Sequence, residues 1–312
     1  MIITLTPNPS VDRTLAVDRL KFNEILRAAP AQLNWGGKGI NISRGLITLG
    51  QPSLALGWVG GGTGKTLEDG LIKLGIKTDF VWVDGETRTN TVLQEESNDW
   101  YMIVNETGPH IPHDAIDEMI AKVNKYANPG DIWITSGSLP PGVPEDFYAN
   151  LIRMLKAKGV QVIFDATAAP FKLGFKEIPW QLYPEVSEAE RLVGFGIKNF
   201  DMATRAALRF LQQGIEYVLL MLENGGVLIS SKSLMVMASL LKVPLYRVTG
   251  ARSALLAGFV DGFVRQLPLV EITRRAAAFR AAYISNKDYS PLQYENFLEL
   301  IPKVEIRSIL MS

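Results

Sequence analysis

The chain predicts an α/β fold: a mostly parallel sheet with helices on both faces, and a small second β-sheet lying over it as a lid. Three observations point there. Short apolar runs alternate with segments of helical period, the pattern of βαβ units. Two stretches, 13–35 and 77–105, break that pattern with short alternating strands and few helix signals. The length of 312 residues, 47% of them hydrophobic, supplies a sizeable core and is read as a single domain, 1–312.

The elements follow in order. Ile2–Thr6 and Leu54–Val59 read as buried strands, with a helix over 39–49 between them. Strands are expected at 131–135, 160–165 and Tyr217–Met221, with helices at 114–126, 144–158 and 202–213 among them. Strands separated by helices of this length pair in parallel, and ligands of such sheets sit beyond the carboxyl ends of the strands. The lid stretches are expected to form an antiparallel flap. The run 90–104 carries apolar residues including Trp100 and Tyr101, which suits either half-buried strands or a lid sheet that also dimerises.

Composition removes several function classes. Lys and Arg total 32 against 32 for Asp and Glu, so no global field draws in nucleic acid or an acidic membrane. There is no Cys, hence no disulfide frame, thiolate catalysis or Cys-type zinc site, which fits a cytoplasmic location. His110 and His113 read as a solvated helix start, and no metal site is expected. The opening residues are too short and Pro-rich for a signal peptide, and no apolar run is long enough to span a membrane.

Four stretches carry candidate chemistry, three of them containing Gly. Gly60-Gly61-Gly62-Thr63-Gly64-Lys65-Thr66 invites a nucleotide phosphate-loop reading, but the first Gly of that motif falls on Val59. It fits better as a turn lining a cleft. Asn8-Pro9-Ser10-Val11-Asp12 closes the first strand and offers a carboxylate to ligand hydroxyls. Gly36-Gly37-Lys38-Gly39-Ile40-Asn41-Ile42-Ser43-Arg44 opens a helix with an ammonium in the turn, which makes either an anion site or a generic Gly-rich helix start. Val248-Thr249-Gly250-Ala251-Arg252-Ser253-Ala254-Leu255-Leu256 reads as a strand end, a tight turn and an apolar helix, whose free N–H groups favour anions.

The last stretch resembles the signature of the ribokinase-like (phosphofructokinase-B) sugar kinases, which run Gly-Ala-Gly-Asp into such a helix. The resemblance implies a three-layer α/β/α sandwich with a β lid. It covers residues 1 to about 290 and is narrowed to the 1-phosphofructokinase and tagatose-6-phosphate kinase subgroup by residues 8–12 and 36–41, by Thr87-Arg88-Thr89-Asn90, by the loop Ser136-Gly137-Ser138-Leu139-Pro140-Pro141-Gly142, and by Asn105-Glu106-Thr107-Gly108-Pro109. It implies that Asp12, Gly37, Asn41, Asn90 and Ser138 hold a sugar, with Lys38 and Arg88 at its phosphate. A guanidinium suits that bidentate task.

Departures cluster on the side where the family holds its nucleotide. Arg252 stands at the second Gly of the anion hole and Ser253 at the general base, beside Gly250 and Ala251. Tyr183-Pro184-Glu185-Val186-Ser187-Glu188 replaces Lys-Pro-Asn-x-x-Glu, and Met221-Leu222-Glu223 replaces Ser-Leu-Gly. Asp165-Ala166-Thr167 keeps the family's Asp, but Ala168-Ala169-Pro170 loses its polar continuation, and Phe279 and Arg280 stand where small residues flank the adenine. Ser253 stays protonated without an activating neighbour. Arg252 is expected to pair with Glu223 and plug the old phosphate site. The implied function is a sugar-phosphate-binding homologue that has lost phosphoryl transfer, homodimeric through the lid and open to a protein partner. Two alternatives stand beside it: an active kinase using ATP and Mg²⁺ with a relocated base, and a structural or regulatory partner with a vestigial site.

Overall fold

The computed structural model describes residues 1–95, 100–222, 225–247, 249–287 and 292–311. The first third runs β1 (Ile2–Thr6), β2 (Ser10–Val17), β3 (Gln32–Gly36), α1 (Lys38–Thr48), β4 (Leu54–Val59), α2 (Gly61–Lys73), β5 (Lys77–Thr78), β6 (Val81–Trp82), β7 (Arg88–Glu95) and β8 (Tyr101–Val104). The middle runs α3 (His113–Tyr126), β9 (Ile132–Ser136), α4 (Phe147–Ala157), β10 (Gln161–Asp165), α5 (Ala168–Phe175), β11 (Gln181–Leu182), α6 (Val186–Val193), α7 (Phe200–Gln212) and β12 (Tyr217–Met221). The chain closes with β13 (Val227–Ser231), β14 (Leu234–Ala238), α8 (Ala251–Val264), α9 (Leu269–Ile284), α10 (Tyr294–Leu300) and β15 (Ile306–Leu310).

The main sheet has the order β15-β14-β13-β12-β11-β10-β9-β1-β4-β5, with β6 also pairing β4. It is parallel from β5 to β12 and antiparallel from β12 to β15. The central strands are apolar on both faces because helices cover both. Ile3, Leu5 and Trp133 pack into a core with α3, α4 and α7, whereas Ile2, Ile134 and Leu219 pack against α1, α8 and α9. Helix α8 is apolar all round and lies buried in that second layer, which explains why its sequence shows no polar face.

The predicted strands and helices of the main sheet are present, with ends moved by up to three residues. The flap departs from expectation. Its four-stranded sheet has the order β3-β2-β7-β8, and its central pair β2·β7 is parallel rather than antiparallel. Strand β2 continues from β1 and β7 follows β6, and β1, β4 and β6 run parallel in the main sheet, so their continuations leave in the same direction. Residues 77–78 and 81–82 extend the main sheet instead of the flap. Among the described residues, no helix is long and apolar enough to cross a membrane.

Candidate functional site

Strand register assembles the first group of side chains. The parallel pairing of β2 with β7 sets Ser10 opposite Arg88 and Asp12 opposite Asn90. Asp12 Oδ1 accepts hydrogen bonds from Ser10 Oγ at 2.7 Å and from Asn90 Nδ2 at 2.8 Å. The carboxylate lies against Gly36, where any Cβ would collide with it. Gly37 has φ +104°, and a Cβ there would press on Thr6 and Pro9, so the turn into α1 requires glycine.

Arg88 is anchored by backbone: its Nε and Nη2 donate to the Asn8 carbonyl at 3.2 and 2.9 Å, and Nη1 donates to the Glu106 carbonyl at 3.3 Å. Burial holds its pKa below the ordinary value, against the pull of Asp12 and Glu106. Arg88 shares a cavity of about 530 Å³ with Ser138 and the residues 137–143 loop. Asn41, on the first turn of α1, accepts from Arg44 Nη1 at 3.3 Å. Asn8, Ser10 and Glu106 were not singled out as site residues. Their signal was adjacency to the motif residues that they hold.

The second group lies at the carboxyl ends of β10 and β11 and at the starts of α1 and α8. Lys38 Nζ donates to Asp165 Oδ1 at 3.1 Å and to Glu185 Oε1 at 3.2 Å. Arg252 Nη2 donates to the Tyr183 carbonyl at 2.9 Å and lies 3.6 Å from Asp165 Oδ1. The guanidinium also stacks on the Tyr183 ring, 4.0 Å from its centroid. Burial works against the charge on Arg252, but Tyr183, Asp165 and Glu185 outweigh it and hold its pKa above the ordinary value. Burial pushes the Tyr183 phenol up to about 12. Two cations and two carboxylates thus neutralise one another.

The expected partner of Arg252, Glu223, lies outside the described residues; among the described residues Arg252 meets Asp165 and Tyr183. Asp165 sits on the strand next to β11, so sheet order brings it to Arg252. Lys38 is likewise held by Asp165 and Glu185. Ser253 is buried, and its Oγ donates to the Lys38 carbonyl at 3.2 Å. Gly250 caps α8 with φ +84°, and no side chain caps that helix start. Ala251 opens the helix, and Met221 packs against the α8–α9 core. Glu188 Oε1 accepts from the Ala168 N–H at 3.0 Å and from Arg191 Nη1 at 2.8 Å.

The phosphate-loop look-alike is closed by a carboxylate. Glu86 accepts from the Gly62 and Thr63 N–H groups at 3.1 and 2.9 Å, filling the start of α2. Lys65 pairs with Asp69 at 2.8 Å on the same helix. The backbone hydrogen bond from Thr63, then its hydroxyl and Gly62, hold the Glu86 pKa below the ordinary carboxylate value. A depressed pKa contributes stability above the unfolded-state value and loses it as pH falls through the folded value. Glu86→Gln is therefore expected to lower the melting temperature at neutral pH, with the difference shrinking as pH falls through the carboxylate range. A pH series of thermal melts checks this. His113 Nδ1 lies 3.2 Å from Asp117 on an exposed helix face, and among the described residues no group of three or more His, Cys, Asp or Glu could hold a metal.

Comparison with known proteins adds three kinds of likeness. The family model of the pfkB family carbohydrate kinases matches residues 7–291. A tagatose-6-phosphate kinase of Staphylococcus epidermidis is 26% identical over 309 residues, covering 98% of this chain and 99% of the relative. A 1-phosphofructokinase of Bacillus subtilis is 29% identical over 309 residues, with the same coverage of 98% and 99%. The crystal structure of phosphofructokinase-2 from Escherichia coli in complex with substrates and products superposes with a TM-score of 0.92 at 22% identity, covering 97% of this chain and 98% of the other.

Proposed function

The chain belongs to the pfkB family of carbohydrate kinases, and from that premise we propose that it binds a sugar phosphate but has lost efficient phosphoryl transfer. Its fold is that of the ribokinase-like sugar kinases. The observation that carries the proposal is the neutral knot of Lys38, Asp165, Glu185 and Arg252, with the Ser253 hydroxyl tied to the Lys38 carbonyl.

The residues present do not fit a magnesium-bound nucleotide. Arg252 already faces Asp165, and Glu188 is committed to the Ala168 N–H and Arg191. The carboxylates Asp165 and Glu185 would oppose a triphosphate placed beside them. Ser253 offers no base, and loss of a positioned base costs about 10²–10⁴ in rate. No catalytic residue is assigned.

The sugar half supports the binding role. Asp12, Asn90 and Ser10 form one hydrogen-bonded cluster on the second sheet, and Arg88 and Ser138 line the neighbouring cavity. In this reading Asp12 and Asn90 receive sugar hydroxyls, Asn41 and the Gly37 turn flank them, and Arg88 meets the phosphate.

Calorimetry with fructose 1-phosphate, fructose 6-phosphate and tagatose 6-phosphate, each with and without ATP and Mg²⁺, tests the proposal. One of the sugar phosphates should bind, ATP should leave that binding unchanged, and Asp12→Ala should weaken it about 10–100-fold through lost charge-assisted hydrogen bonds. Turnover in a coupled assay would establish the active kinase instead, the activity for which the curated relatives are named. Silence towards every ligand would leave only a structural or regulatory role.

The second sheet supports a homodimer. Strand β8 exposes Tyr101, Met102, Ile103 and Val104 in succession at the sheet edge. An apolar edge strand pairs readily with another chain, and a second copy offers the matching edge. Sedimentation should find a dimer that Ile103→Lys converts to monomer. An unchanged species would remove this edge from the interface. The absence of Cys supports a reducing, cytoplasmic location in this reading.

A further inference from the structure

Between the second sheet and the main body lies a cavity of about 380 Å³, apart from the Arg88–Ser138 cavity. Asn34 and Trp35 of β3 form one wall, Arg44 of α1 another, and Phe279 and Tyr283 of α9 a third, with Arg247 beside them. Its chemistry is two guanidiniums among aromatic rings.

Arg44 is the informative group. Its Nη1 donates to the Trp35 carbonyl at 3.0 Å and to Asn41 Oδ1 at 3.3 Å. Its Nε and Nη2 have no hydrogen-bond partner, and no carboxylate is in ion-pair contact with it, among the described residues. Burial lowers its pKa; Tyr283 and, more weakly, the Asp12 carboxylate oppose this, and the charge of Arg247 adds to the lowering. Arg247 itself stacks on the Tyr283 ring at 4.9 Å and donates to the Asn286 carbonyl at 3.1 Å. A partly buried cation beside a like charge is costly unless an anion joins it. The unused Nε–Nη2 edge is the face of a guanidinium that takes two oxygens of a phosphate or carboxylate at once.

The geometry points to a second ligand site here, for a small phosphate or carboxylate anion carrying an aromatic or apolar body. Arg44 receives the anionic group through its Nε–Nη2 edge, and the rings of Trp35, Phe279 and Tyr283 enclose the body. The site lies on other residues than the Arg88–Ser138 cavity and meets the sugar-side residues through the hydrogen bond of Arg44 to Asn41.

Titration calorimetry with phenyl phosphate, benzoate and inorganic phosphate tests it on the full chain. Phenyl phosphate or benzoate should bind at least about tenfold tighter than inorganic phosphate, because the ring adds buried apolar area. Comparison of the two ring-bearing probes distinguishes a phosphate from a carboxylate site. Arg44→Gln should weaken binding by about tenfold or more, the value of a lost charge-assisted hydrogen bond. Leu74→Trp, which fills the cavity wall and leaves every charge in place, should do the same and carries the test if Arg44→Gln does not fold. Arg88→Gln should leave the affinity unchanged. Absence of saturable binding by both ring-bearing probes at millimolar concentration overturns the proposal. So does binding that survives Arg44→Gln and Leu74→Trp but is lost in Arg88→Gln.

Discussion

Asp165→Asn is expected to destabilise the protein by about 3 kcal/mol, the lower end of the cost of removing one partner from a buried ion pair. Asp165 is only 3% exposed and faces both Lys38 and Arg252. Asparagine keeps its shape and removes its charge. Lys38 would retain Glu185 alone, and Arg252 would retain the Tyr183 carbonyl and ring. Both cations keep some contact with water, which places the effect at the lower end. Urea denaturation should show a reduced midpoint with an unchanged slope. A loss under about 1 kcal/mol would mean that the carboxylate is not the centre of the knot. Arg252→Met in the Asp165→Asn background should cost less than Arg252→Met alone, because the two groups are coupled.

The second large effect is a gain. Arg252→Gly with Ser253→Asp is expected to raise phosphoryl transfer at least about 100-fold over the wild type, the low end of a general base's contribution. Glycine restores close backbone approach at the start of α8. The new carboxylate cannot keep the contact made by Ser253, since Ser253 donates to the Lys38 carbonyl and a carboxylate only accepts. It must turn away from that carbonyl. Loss of Arg252 leaves Asp165 and Glu185 to Lys38, so stability should fall as activity rises. A coupled assay with ATP, Mg²⁺ and the bound sugar phosphate measures the gain. No gain would show that these two positions are not the block; Glu223→Gly is the next change to combine with them.

Periodicity sufficed for much of the fold. Strands β1, β4 and β12 are local apolar runs, and α1, α3, α4 and α7 carry their own helical spacing. Strand β11 has two residues, and α5 opens at Ala168 with φ +57°, a conformation that no local pattern announces. The parallel pairing of β2 with β7 was equally hidden, because strand direction follows from where each strand leaves the main sheet. At the site, the motifs of residues 8–12, 36–41 and 87–90 marked Asp12, Asn41, Arg88 and Asn90, and strand register placed Asp12 against Asn90.

Residue types and their spacing were therefore enough to specify the α/β class and the family. They were not enough to pair charges. Arg252 meets Asp165 and Tyr183, brought from adjacent strands by the order β12-β11-β10. Lys38 meets Asp165 and Glu185 for the same reason. Backbone periodicity acts over one or two turns and can be seen in a few residues. Coulombic pairing is indifferent to chain distance and is decided by which strand ends and helix starts the sheet brings within a few ångströms of one another.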